Sequence, residues 1–219
     1  MLRRNQKDWD AYMKQDTTIS LEQTLSTDES ELLVLAQNGD DGAFTQLVER
    51  YQNPVYNLCY RMLGDAQEAE DAAQEAFWRA YQALKRYDSN RPFATWLLSI
   101  TAHYCIDLQR KRRLPTLEIE DWMEEVLPDN LPDPERMTGA REEKERIQKM
   151  LALLNPQDRA AIILRYWYEF SEEEISRAMK LSVSAVKSRL HRARLKFASV
   201  YQDEHAQTSE RIQDESPAF

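Results

Sequence analysis

FSEEEISRAMKLSVSAVKSRLHRARLKF, residues 170–197, is the stretch from which the fold can be read. Ser171 and Glu174 stand at capping-box spacing, and Phe170 and Ile175 at the spacing of a hydrophobic staple. Two independent signals therefore start a helix at Glu172, which runs to about Lys180. Leu181-Ser182 reads as a short turn, and Ser182 can cap a further helix. That helix places Val183, Val186, Leu190, Ala193 and Phe197 inward, and Ser184, Lys187, Ser188, His191 and Arg192 outward. Between Lys187 and Lys196 it also carries Arg189 and Arg194 and no acid. Two short helices with a tight turn, the second basic on its outer face, describe a helix-turn-helix whose second helix fits a major groove. Lysine and arginine meet phosphates or a guanine edge, while serine and histidine supply smaller hydrogen-bonding tips. This chemistry is recognition, not catalysis. The bland alternative is a surface helix that happens to be basic; the capping, the turn length and the acid-free face together weigh against it.

Working outward, Ile147, Met150, Leu151 and Leu154 share one helical face, and Asn155 followed by Pro156 reads as a cap and first helical position. The next helix carries Ile162, Ile163, Tyr166 and Trp167. Further upstream, Glu118, Glu120, Asp121, Glu124, Glu125, Asp129, Asp133 and Glu135 share a stretch with Pro115, Pro128, Pro132 and Pro134, with no Lys or Arg before Arg136. Prolines at that density break helices and ladders, so residues 114–136 read as an extended acidic linker. RKRR at 110–113 ends the half before it. There Phe44, Leu47, Val48 and Tyr51 form one amphipathic stripe, and Pro54 restarts the pattern at Val55, Leu58, Cys59 and Met62. After Gly64 a third stripe runs through Ala69, Ala72, Ala73, Ala76, Phe77, Ala80 and Leu84. A fourth helix begins near Pro92 and carries Trp96, Leu97, Ile100 and Tyr104. The expectation is an all-α chain of two small helical domains. The first is a four-helix bundle over 28–113 and the second a helix-turn-helix domain over 137–201, with mobile tails at 1–27 and 202–219.

Composition supports this. The 219 residues are 42% hydrophobic and 31% charged, and the mean hydropathy is -0.72. No apolar run approaches the ~18 residues of a membrane helix, so no membrane insertion is expected. The first residues lack the three-part pattern of a signal peptide, and the expected location is cytoplasmic. Four glycines are too few for a phosphate-cradling loop or many tight turns. Cys59 and Cys105 lie far apart among apolar neighbours and read as buried free thiols, not as a metal or disulfide framework. The net charge of -9, from 29 Lys+Arg against 38 Asp+Glu, would argue against nucleic acid as a partner if it were evenly spread. Its concentration in the linker, with basic clusters on either side, reverses that inference. His103, His191 and His205 have no metal-ligand spacing, so neither a metal site nor a catalytic residue nor a cofactor is expected.

These residues carry a resemblance. LNPQDRAAIILRYWYEFSEEEISRAMKLSVSAVKSRLHRARLKF resembles region 4 of the bacterial extracytoplasmic-function (ECF, group 4) sigma factors of the sigma-70 family, in which VKSRLHRAR corresponds to the recognition helix for the minus-35 promoter element. AEDAAQEAFWRAYQAL resembles region 2.2, and FATWLLSITAHYCIDLQRKRR, from Phe93 to Arg113, resembles regions 2.3 and 2.4. Together these cover about Asp41 to Arg113 and Ala140 to Tyr201. The resemblance implies a sigma factor that binds the RNA polymerase core, recognises the minus-35 and minus-10 elements and promotes DNA melting. Its implied partners are the beta-prime clamp helices and beta flap of the polymerase, promoter DNA and an anti-sigma factor.

The resemblance also assigns residues. It places Asp71, Gln74, Glu75, Phe77 and Tyr81 on the polymerase clamp. Single-stranded minus-10 DNA falls on Ser89, Asn90, Arg91, Trp96, His103, Tyr104, Asp107 and Arg110, where aromatic platforms and cations suit splayed bases. The minus-35 duplex falls on Ser184, Lys187, Ser188, His191 and Arg192. The acidic linker corresponds to a connector through the polymerase's basic cleft. His103 stands where the family usually has asparagine, and Lys180 stands in the turn where it often has glycine. The rival class is a dimeric helix-turn-helix regulator that needs no polymerase, which a gel shift on duplex promoter without core enzyme distinguishes.

Overall fold

The computed structural model describes residues 27–113 and 139–214, with side chains described over 29–112 and 144–199. Among the described residues the chain is helical and contains no strand. The helices are α1 (Thr27–Gln37), α2 (Asp41–Leu63), α3 (Ala66–Ala83), α4 (Phe93–Arg113), α5 (Gly139–Ala152), α6 (Pro156–Tyr166), α7 (Glu172–Met179) and α8 (Val183–Asp214), with a 3₁₀ turn at Leu84–Arg86.

Local chemistry sets the ends of these elements. Asp40 and Asp65 cap α2 and α3, their carboxylates accepting the amides of Ala43 at 2.9 Å and Glu68 at 2.8 Å. Gly64 closes α2 at φ +84°, a left-handed turn that glycine adopts without strain. The buried stripe of α3 is all alanine, namely Ala69, Ala72, Ala73, Ala76 and Ala80. Such small side chains let α2 and α4 pack closely against it. Downstream, Asn155 caps α6 with Pro156 in the first turn, and Ser171 and Glu174 form the reciprocal capping box of α7.

The observed helices depart from the sequence expectation in three places. Pro54 does not divide its segment, because α2 runs unbroken from Asp41 to Leu63. An interior proline costs about 3 kcal/mol, but Pro54 is buried in the stripe Leu47, Tyr51, Val55, Leu58, Cys59 and Met62. Each of those side chains contributes about 1.5–3 kcal/mol by burial, so the stripe outweighs the break. The bundle still has four helices because α1 supplies the missing one. Its run Leu32–Leu35 is apolar at four consecutive positions and shows no period, yet Leu32 and Leu33 are buried while Val34 and Leu35 are exposed. Gln37 ties the end of α1 down by donating to the carbonyls of Leu84 at 3.1 Å and Tyr87 at 3.0 Å. Finally, residues 202–214, expected as part of an aperiodic tail over 202–219, continue α8 as helical backbone. Gln, Glu, Ala and Arg favour helix without needing a buried face. The expected tail over 1–27, apart from Thr27, and the expected linker over 114–136 lie outside the described residues.

The two groups of helices, α1–α4 and α5–α8, pack directly on each other. The C-terminal end of α2 supplies much of the contact. The Gly64 amide closes on Tyr60 O at 2.8 Å, and side chains from elsewhere supply further donors to the last carbonyls. Gln148 donates to Tyr60 O at 2.5 Å, Arg159 donates to Met62 O at 2.5 Å, and Gln109 of α4 also donates to Met62 O. The Arg159 cation also suits the negative end of the α2 dipole. Next to this, Arg61 lies over the Trp167 ring at 4.9 Å, and Tyr168 donates its hydroxyl to Pro54 O at 2.6 Å. Burial pushes the Tyr168 phenol up, so it stays protonated and able to donate.

Candidate nucleic-acid interface

In α8, Val186, Leu190, Ala193 and Phe197 are buried, and Ser184, Lys187, Ser188, His191 and Arg192 all lie on the exposed face. Lys180 supplies the sharp turn before α8 from the left-handed region, at φ 54°, where glycine would be unstrained. The basic run is not uniform. Arg194 donates Nε to the Tyr166 hydroxyl at 3.0 Å, and Arg189, half-buried, donates Nη1 to Asp158 Oδ1 at 3.0 Å. Lys187 pairs loosely with Glu172 at 3.5 Å and remains largely in solvent. Arg192 is also on the outer face, yet its Nε reaches Asp158 Oδ2 at 3.2 Å and its Nη2 reaches Asp158 Oδ1 at 3.0 Å.

Asp158 therefore sits beneath the recognition helix, and nothing in the sequence pattern singled it out. Its position in the first turn of α6, after the Asn155 cap, made it look like an ordinary helix-start acid. Asn155 accepts its amide at 2.9 Å and donates Nδ2 to Oδ2 at 2.7 Å. Burial pushes the Asp158 carboxyl up, but hydrogen bonds from Arg192, Arg189 and Asn155 outweigh it and hold the group below the usual carboxylate value. Its contribution to stability is thus present above the ordinary value near 4 and is lost as pH falls through the lowered one.

The residues expected at single-stranded DNA gather at the start of α4. Ser89, Asn90 and Arg91 are exposed in the loop, where Asp88 accepts from the Asn90 amide at 3.0 Å and its side chain at 2.9 Å. Trp96 is half-buried, with its ring 5.0 Å from Tyr87 and 5.5 Å from Phe93. A cleft of about 290 Å³ opens here, between Asn90, Arg91, Thr95, Trp96 and Ser99 on one side and Arg177 and Ala178 of α7 on the other. Along α4, His103, Asp107 and Arg110 follow Trp96 on one face at helical spacing. His103 donates Nδ1 to Ser99 O at 2.8 Å, while Asp107 and Arg110 are exposed. Tyr104 departs from this face. Its ring lies under the Arg79 guanidinium at 4.4 Å, and Arg79 in turn pairs with Glu75 at 2.7 Å, so Tyr104 is turned toward α3 and is not a free stacking platform.

On α3, opposite the alanine stripe, Asp71, Gln74, Trp78 and Tyr81 are exposed and Glu75 is half-buried, while Phe77, at the edge of the stripe, is half-buried against the core. Trp78 stacks on Tyr81 at 5.9 Å, Phe44 meets the Tyr81 edge at 5.0 Å, and the Tyr81 hydroxyl donates to Asp41 at 2.7 Å. An exposed aromatic patch rimmed by acids has the composition of a protein-binding surface. Among the described residues no His, Cys, Asp and Glu cluster could hold a metal, and no helix is long and apolar enough to cross a membrane. Cys59 and Cys105 are both buried, with their sulfurs 3.8 Å apart.

Residues 47–114 match the family described as Sigma-70 region 2, and residues 144–197 match Sigma-70, region 4. The chain is 37% identical over 166 residues to the ECF RNA polymerase sigma factor SigW of Bacillus subtilis, covering 72% of this chain and 88% of that protein. It is 35% identical over 174 residues to the RNA polymerase sigma-H factor of Pseudomonas aeruginosa, covering 76% of this chain and 90% of that one. Among solved structures, CnrH in complex with the cytosolic domain of CnrY superposes with a TM-score of 0.61 at 26% identity, over 81% of this chain and 99% of that chain.

Proposed function

The chain belongs to the ECF branch of the sigma-70 family of RNA polymerase sigma factors, and from that premise we propose how its residues divide the work of promoter recognition. The observation that carries the proposal is the α8 face, where Ser184, Lys187, Ser188, His191 and Arg192 meet solvent above a buried apolar seam. This face enters the major groove of the minus-35 element, with Arg192 reading a base edge and Lys187 neutralising phosphate or guanine. Ser89, Asn90, Arg91 and Trp96 receive unstacked bases of the minus-10 element, and His103, Asp107 and Arg110 continue that track along α4. Asp71, Gln74, Glu75, Phe77 and Tyr81, joined by Trp78, dock on the polymerase clamp. The protein supplies recognition and strand capture, not bond chemistry of its own, and works in the cytoplasm where polymerase and promoter meet. The solved relative CnrH, bound to the cytosolic domain of CnrY, supports a further protein partner for this chain, which we propose to be an anti-sigma factor.

The packed arrangement of the two units limits what can be read at once. The two elements are separated by roughly 25 base pairs, or about 85 Å of duplex at 3.4 Å per step, whereas α4 and α7 face each other across one cleft. Promoter engagement therefore parts the units. The residues between Arg113 and Gly139 have the reach for it, since roughly 25 extended residues span at most about 85 Å.

The test is transcription by core polymerase supplied with this chain, on a promoter selected by that holoenzyme from a randomised library. Alanine at Asp71, Gln74 and Glu75 together is expected to abolish core binding and transcripts while circular dichroism stays helical. Undiminished core binding would overturn the clamp assignment. Selection of the same duplex by the free chain alone would favour a polymerase-independent regulator.

A further inference from the structure

We infer that Asp158 is a specificity-determining positioning residue for the recognition helix, fixing which edge of Arg192 is presented to the minus-35 element. The inference rests on the assignment of Arg192 as a base reader.

A guanidinium has five N–H donors in a planar fork. Asp158 takes the side edge of Arg192, with Oδ2 accepting from Nε at 3.2 Å and Oδ1 from Nη2 at 3.0 Å. The opposite edge, formed by Nη1 and the second hydrogen of Nη2, keeps two parallel N–H groups for another acceptor. The Arg192 side chain is 53% exposed and the Asp158 side chain 4%, so the anchored edge faces the interior and the unused edge faces solvent. Two parallel N–H groups are what a guanine presenting O6 and N7 requires.

The anchor is itself held on three sides. Asn155 donates to Oδ2, Arg189 donates to Oδ1, and the Asp158 backbone is fixed in the first turn of α6. Because α6 is packed under α8, the carboxylate has a fixed position relative to the outer face of that helix. An arginine held in this way loses less side-chain freedom on binding DNA than one waving in water. A lysine at the same position would keep the charge but could not bond Asp158 and a base edge in parallel.

The proposal is tested on holoenzyme made with the full chain, by competition binding between the selected promoter and versions substituted at each base pair of its upstream element. Arg192→Ala identifies the base pair that Arg192 reads. If no position loses discrimination in that variant, the base-reading assignment fails, and Asp158 with it. Where one position does respond, Asp158→Asn is expected to lower discrimination at that same position about tenfold, leaving the other positions near their original values. Arg192→Lys should do the same despite its retained charge. Adding Asp158→Asn to Arg192→Ala should change nothing further at that position. A folded Asp158→Asn chain that keeps full discrimination, or weakens binding evenly at every position, would show that the pair only holds the domain together. Should Asp158→Asn fail to fold, Arg192→Lys decides alone, and full discrimination in that variant would overturn the proposal.

Discussion

On α8, Ser184, Lys187, Ser188, His191 and Arg192 all meet solvent, whereas on α4 Trp96 is half-buried against Tyr87 and Phe93 and faces Arg177 and Ala178 across a narrow cleft. On the proposed assignment, the contrast follows from what each surface reads. Duplex DNA is read by polar tips that water solvates well, so such a face stays exposed at little cost. Splayed bases need aromatic faces, and exposing those costs about 25 cal/mol per Å². In the free chain Tyr87 and Phe93 pack on Trp96 and the second unit faces it across the cleft, the place that the proposal gives to DNA.

The comparison breaks most sharply on a pair of substitutions. Arg192→Ala is expected to weaken holoenzyme binding to the minus-35 duplex by about 1–3 kcal/mol. Trp96→Ala should weaken capture of minus-10 single strands by about 1–3 kcal/mol in holoenzyme, and by far less in the free chain, where Arg177 and Ala178 stand across the cleft from it. Fluorescence anisotropy on short labelled duplexes and single strands measures both. Equal losses from Trp96→Ala in the two states would mean that the α4 face is as open as the α8 face.

A gentler change sharpens the same point. Tyr168→Phe deletes the hydroxyl that donates to Pro54 O across the interface, a loss of about 1 kcal/mol. On the proposal that parting the units frees the Trp96 face, the free chain should bind minus-10 single strands up to about fivefold more tightly. Holoenzyme affinity for the minus-35 duplex should not move. No gain in single-strand binding would mean that the interface does not compete with DNA.

The smallest effect is a control on stability. Lys180 holds a left-handed conformation at φ 54°, and glycine there should stabilise the chain by about 1 kcal/mol in a thermal melt. Both DNA surfaces should keep their affinities.

How much of this was legible in the sequence differs between the two surfaces. The recognition helix was readable because its signals are local: a capping box, a staple, a short turn and a period in which inward and outward residues separate. The covering of α4 was not, because Arg177 and Ala178 are remote from Trp96 in the chain and the capping of α2 carbonyls by Gln148 and Arg159 leaves no periodic trace. Pro54 misled for a related reason. Local propensity says break, and only the buried surroundings of the assembled bundle say continue. Helix α1 escaped because Leu32–Leu35 are all apolar, so the sequence cannot show which pair faces inward. Asp158 was hidden in plain chemistry, since an acid in the first turn of a helix is ordinary and its bonds to Arg189 and Arg192 exist only once α6 and α8 meet.

That promoter binding parts two units packed together in the free chain is tested most directly by a distance. Spin labels on Gln52 of α2 and Glu173 of α7, both exposed, allow pulsed electron resonance to compare the free chain with holoenzyme on a melted promoter. A single distance, that of the packed helices, is expected in the free chain, and a separation longer by tens of ångström in the promoter complex. The same distance in both states would contradict that parting.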